Sequence, residues 1–107
     1  MAGPEAIVEK YLVAECKKIG GVAEKFTSPN KRAVPDRICS FPYDLIVFVE
    51  CKAEGVEPTL AQKEDHKKRR LRGHQVEVVD SKESVDVFIK GIVTAMRAMR
   101  SLGEGML

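Results

Sequence analysis

Asp36, Glu50 and Lys52 are of the residue types, and in the order, that a hard-cation site with an adjacent amine requires. They frame the run VPDRICSFPYDLIVFVECK, with Pro35-Asp36 near one end and Glu50-Cys51-Lys52 at the other. Successive side chains of a β-strand point to opposite faces, so Glu50 and Lys52 project together while Cys51 turns into the core. Asp36 precedes Glu50 by 14 positions, which suits neighbouring antiparallel strands joined by a turn through Ser40-Phe41-Pro42-Tyr43-Asp44. Two carboxylates and a lysine then meet at one spot. That composition is what metal-dependent hydrolysis of a phosphodiester needs. Alone, Asp36 reads as a turn residue after proline, and Glu50 with Lys52 as a strand-end ion pair. Their joint occurrence in this order favours chemistry.

The elements that must position these residues follow from periodicity. In residues 4–19, Ile7, Val8, Tyr11, Leu12, Cys16 and Ile19 recur at three- and four-residue steps, predicting a helix with Pro4 in its first turn and Gly20-Gly21 at its end. Residues 22–27 predict a short strand before a turn at Ser28-Pro29-Asn30, and residues 36–40 and 44–52 predict the second and third strands. The third is apolar on both faces and is therefore expected at the centre of the sheet. After a loop over residues 53–58, Thr59 caps a helix running to Arg72 and closed by Gly73. Residues 75–79 alternate as a fourth strand. Asp80-Ser81 opens a last helix carrying Val85, Phe88, Ile89, Ile92, Val93, Met96 and Met99 on one side, and the glycine-containing tail 101–107 is expected to be loose. The order predicts an α/β fold, a mixed sheet with helices on its faces.

A chain of 107 residues is expected to form one domain. It contains no internal repeat, and no apolar run approaches the roughly 18–20 residues that span a membrane. Met1-Ala2-Gly3-Pro4-Glu5 lacks the basic and apolar regions of a secretory signal, so the expected location is the cytoplasm or the nucleoid rather than outside the cell. Cys16, Cys39 and Cys51 are odd in number and lie in apolar patterns, which predicts buried free thiols. Neither His66 nor His74 has zinc-ligand spacing. The net charge is only +2, but between Gln62 and His74 six cations (Lys63, Lys67, Lys68, Arg69, Arg70, Arg72) face two acids (Glu64, Asp65). Such a local excess fits a phosphate-tracking helix face, with Lys63, His66, Lys67 and Arg70 turned toward the cleft beside Gln62. A solvated charged face is the plainer reading, and an exposed His66 the plainer one for that residue.

The motifs Val34-Pro35-Asp36-Arg37 and Phe48-Val49-Glu50-Cys51-Lys52, followed by Gln62 on the next helix and by Gly73 leading into Val76-Glu77-Val78-Val79, resemble the VRR-Nuc (virus-type replication-repair nuclease) family of the PD-(D/E)xK nuclease superfamily. The likeness covers roughly residues 5–80 and implies a restriction-endonuclease-like αβββαβ core plus a C-terminal helix. It implies that Asp36, Glu50 and the Cys51 carbonyl hold Mg²⁺ or Mn²⁺, with Lys52 near the attacking water and Gln62 near the lysine, the water or the phosphate. An additional acid from the first helix is expected at Glu5 rather than Glu9. Two neighbouring carboxylates favour a charged lysine, so Lys52 is expected to orient or stabilise rather than to take a proton. Cys51 departs from the larger aliphatic residue usual there, which matters little if only its carbonyl binds metal. Arg37 beside Asp36 joins the expected DNA contacts. The activity implied is a structure-selective DNA endonuclease in replication or repair, resembling a Holliday-junction resolvase and acting as a homodimer through part of the last helix's apolar stripe. The alternatives are a monomeric flap or nicking nuclease and a non-catalytic nucleic-acid-binding module. Carboxylates that repel phosphate without metal favour the enzyme.

Overall fold

The computed structural model describes residues 3–105. Helix α1 spans Pro4–Lys18, and three strands follow: β1 (Val22–Lys25), β2 (Arg37–Phe41) and β3 (Leu45–Cys51). Helix α2 (Leu60–Leu71), strand β4 (Gln75–Val79) and helix α3 (Lys82–Gly105) complete the chain. The sheet order is β1-β2-β3-β4, antiparallel in its first two pairs and parallel in the last. A parallel pair cannot be joined by a tight turn, and α2 makes the crossover. The apolar third strand is thus central, as its sequence requires.

Helices α1 and α3 cover one face of this sheet. Val8, Leu12 and Cys16 of α1 pack there with Cys39, Phe41, Val47, Val49, Cys51 and Val79 of the strands and with Val85, Phe88 and Ile92 of α3. The three cysteines are buried free thiols. Tyr11 donates to Asp86 Oδ1 at 2.6 Å and ties the two helices together at their solvent edge. Ile7, counted in the sequence stripe, is instead half exposed. Gly73 adopts a left-handed φ of 88° that ends α2, as its place in the sequence demands. The β2–β3 hairpin turns through Tyr43 and Asp44, both at positive φ.

The opposite face is covered by α2, and not through an apolar stripe. Its buried residues are Asp65, His66 and Arg69. The Arg69 guanidinium lies 4.6 Å from the Phe48 ring centroid and 5.1 Å from that of Phe26, and its Nε donates to Asp65 Oδ2 at 2.7 Å. Lys31, from the segment between β1 and β2, reaches Asp65 Oδ1 at 3.4 Å. Burial pushes the Asp65 carboxyl up, but the Arg69 and Lys31 cations outweigh it and hold it below the usual carboxylate range.

Helix α3 continues through Gly105, which corrects the expectation of a loose tail for residues 101–105; residues 106–107 lie outside the described residues. Each glycine in an established helix costs only about 1 kcal/mol, and the methionines, arginines and leucine around Gly103 are good helix formers. Val85, Phe88 and Ile92 are buried in the chain's own core and Ile89 and Met96 pack against it, so five of the seven stripe residues have an internal partner.

Candidate metal centre

Asp36 immediately precedes β2, Glu50 lies near the end of β3 with Lys52 directly after the strand, and Glu5 lies in the first turn of α1. The antiparallel register pairs Arg37 with Val49, which sets Asp36 beside Glu50. Asp36 Oδ2 accepts a 2.7 Å hydrogen bond from the Cys51 amide, fastening the carboxylate to the end of β3. One carboxylate oxygen from each of Glu5, Asp36 and Glu50 lies within 4.8 Å of the others. Glu9, one turn after Glu5, is committed elsewhere, accepting from Arg37 Nε at 2.8 Å.

Glu50 is only 1% exposed, the least expected place for an acid. Burial, then the neighbouring Asp36 carboxylate, raises its carboxyl to about 8, with the Lys52 charge opposing. Three converging carboxylates, one of them buried, repel each other unless a cation lies between them, and oxygen donors are what Mg²⁺ and Mn²⁺ select. The donor set therefore fits a divalent ion.

His66 was expected at the surface, and the structure corrects this: it is 2% exposed, with Nε2 3.5 Å from Glu50 Oε1. Neither atom has a hydrogen-bond partner among the described residues. Burial and the Arg70 charge hold the imidazole below its ordinary range, so it is a neutral ring. Its four-residue spacing from Gln62 was the available signal, since it puts both on one helix face; no local pattern announced that this face is buried. Gln62 completes a capping box: its backbone N–H donates to Thr59 Oγ1 at 3.1 Å, and its side-chain Oε1 accepts from the Thr59 backbone N–H at 2.9 Å. The side-chain NH₂ is left to donate.

The residues expected to meet DNA are distributed less simply. Arg37 is half-buried, donating to Glu9 and, at 3.0 Å, to the Ala23 carbonyl. Lys63 pairs with exposed Glu57 at 2.9 Å, and Arg70 donates to the Val76 carbonyl at 2.7 Å. Lys67 is exposed. Arg69, counted in the basic run, belongs to the α2–sheet contact and leaves the surface charge smaller than the sequence suggests.

Strand order, crossover and acid cluster define a restriction-endonuclease-like αβββαβ core extended by a C-terminal helix. No family model matches the chain. It is 51% identical over 79 residues to "Putative nuclease p44" of Acyrthosiphon pisum secondary endosymbiont phage 1, covering 74% of this chain and 85% of that protein. A solved structure described as "VRR_NUC domain" superposes with a TM-score of 0.80 and 33% identity, over 83% of this chain and 97% of the other. The chain belongs to the VRR-Nuc family.

Proposed function

We propose that the protein is a divalent-metal-dependent DNA endonuclease that hydrolyses phosphodiester bonds. The observation that carries this reading is the convergence of Glu5, Asp36 and Glu50 within 4.8 Å, with Glu50 buried. Asp36 and Glu50, with the Cys51 carbonyl and Glu5, would hold Mg²⁺ or Mn²⁺. A bound ion of this kind acidifies water and offsets charge on the phosphate. The protein's part is positional: the Cys51 amide fixes the Asp36 carboxylate, and Lys52, directly after β3, lies close enough for its charge to act on Glu50. Lys52 orients the nucleophile or stabilises the developing charge, and the Gln62 amide donates toward the same region. Lys67, with weaker help from Lys63, Arg70 and Arg37, contacts the substrate, whereas His66, expected to join them, is buried and has no route to it. The family of the relatives, one of them named a nuclease, supports the reaction class.

The finer reading is a homodimer that cuts four-way junctions in replication or repair, working in the cytoplasm or on the nucleoid. A two-fold pair of sites matches the symmetry of a junction. Edge strand β4 and α3 border a groove of about 250 Å³ that includes Val87, Gly91 and Ala95, and Met99 and Leu102 are exposed at 42% and 63% beyond the core. These features support a second copy on that side. Incubating the protein with fluorescent duplex, flap and four-way-junction DNA, in Mg²⁺ or Mn²⁺ against EDTA and with light scattering alongside, tests both levels. Cutting in EDTA overturns the metal reading, and a monomer that prefers flaps overturns the finer one.

A further inference from the structure

Two grooves at the acid-cluster end of the sheet share a wall. One, of about 440 Å³, lies between Asn30, Lys31 and Arg32 on one side and Ala61, Glu64 and Lys68 of α2 on the other. The second, of about 290 Å³, is bounded by Phe26, Thr27, Ser28, Lys31 and Arg32 and ends at Asp36. Lys31 and Arg32 line both, so the two grooves adjoin along these residues, one opening on the flank of α2 and the other reaching Asp36 of the acid cluster. Their rim is cationic: Arg32 and Lys68 are exposed, and Lys31 is 57% exposed although it also reaches Asp65. The acid in the floor, Asp65, is already neutralised by Arg69 at 2.7 Å, leaving Glu64 as the opposing surface charge. On the other flank of α2 Lys63 is paired with Glu57 and Arg70 is bound to a carbonyl, and the exposed cation there is Lys67.

We infer that these adjoining grooves between residues 27–34 and α2 are the track for the DNA strand adjoining the bond to be cut, with Arg32, Lys31 and Lys68 on successive phosphates. The inference rests on the nuclease reading and adds a surface to it. A polyanion entering a cleft whose floor acid is compensated meets cations on both walls, and the track delivers it to Asp36. Thr27, Ser28 and Asn30 add small polar groups that suit backbone rather than base contacts. The contacts are therefore independent of sequence and sensitive to salt.

The test is fluorescence anisotropy of a labelled flap or junction DNA with the full chain in Ca²⁺. Arg32→Ala with Lys68→Ala should weaken binding by roughly 10-fold or more and lower the log-log salt slope by roughly two units, one per lost phosphate contact, equally for unrelated sequences. Lys90→Ala on the outer side of α3 is the control and should leave both unchanged. A photo-crosslinking side chain at Ala33 or Ala61 should capture DNA, and one at Lys90 should not. Unchanged affinity and slope in the double variant, or no capture from Ala33 and Ala61 while the protein still binds and cuts DNA, overturns the track alone. A wild-type protein that neither binds nor cuts DNA overturns the nuclease reading beneath it.

Discussion

Nε2 of His66 stands 3.5 Å from Oε1 of Glu50, and both atoms are sealed from solvent without another partner among the described residues. A carboxylate and an imidazole so placed are not an ion pair, because burial drives each toward its neutral form. With Glu50 ionised, as holding a divalent ion would require, a proton on Nε2 would be the donor available to its Oε1. Replacing His66 with Ala should therefore weaken Mn²⁺ binding by roughly 10–100-fold, measured by calorimetry. His66→Gln, which keeps a donor, should recover part of the loss. Equal Mn²⁺ affinity in His66→Ala and wild type would reduce His66 to packing.

The raised Glu50 carboxyl fixes the sign of a pH effect. Between its ordinary value of 4.5 and its folded value of about 8, the folded protein binds more protons than the unfolded one, so metal-free stability falls as pH rises through that window. Glu50→Gln should flatten this dependence and exceed metal-free wild type by roughly 1–3 kcal/mol at pH 8.5, because an amide never has to ionise. Added Mn²⁺ should restore wild type and leave the variant unmoved. Urea melts across pH 5–9 provide the measurement.

For cleavage, Asp36→Asn, Glu50→Gln and Lys52→Ala should each reduce the rate by roughly 100-fold or more while circular dichroism stays native. Ca²⁺ should support binding but not efficient cutting, since it is larger and less demanding in geometry. Full activity from Glu50→Gln would remove the acid cluster from the mechanism.

Arg69 makes a separate, purely structural prediction. Its guanidinium fills the space between Phe26, Phe48 and Asp65, so Arg69→Ala removes packing and leaves a buried acid with one distant cation. The loss should be about 3–4 kcal/mol by denaturant melts. The double variant Asp65→Asn with Arg69→Met should recover much of it, because no buried charge is then stranded.

These outcomes separate what the sequence displayed from what it hid. Strand β4 has the predicted bounds, Thr59 caps α2 and Gly73 ends it, because turn and cap chemistry is local. The meeting of Asp36 with Glu50 was legible because strand alternation and antiparallel pairing assign neighbours without knowledge of other partners. The docking of α2 was not. Arg69 and Asp65 look like surface charge until two aromatic rings from distant segments form their seat, and His66 looks exposed until Glu50 lies opposite. Lys31 and Arg32 gave no signal either, since only the path of residues 26–36 beside α2 brings them to the cleft.

The alternation along β3 also acts as a safeguard. A slip of one residue between β2 and β3 would turn Glu50 and Lys52 into the layer beneath α1 and α3, and would bring Cys51 out to face α2. The acid cluster would then be dismantled at the same moment as the core is spoiled. A mispaired chain is thus both unstable and inert, so a newly made molecule acquires its capacity to harm nucleic acid only once its strands are in register.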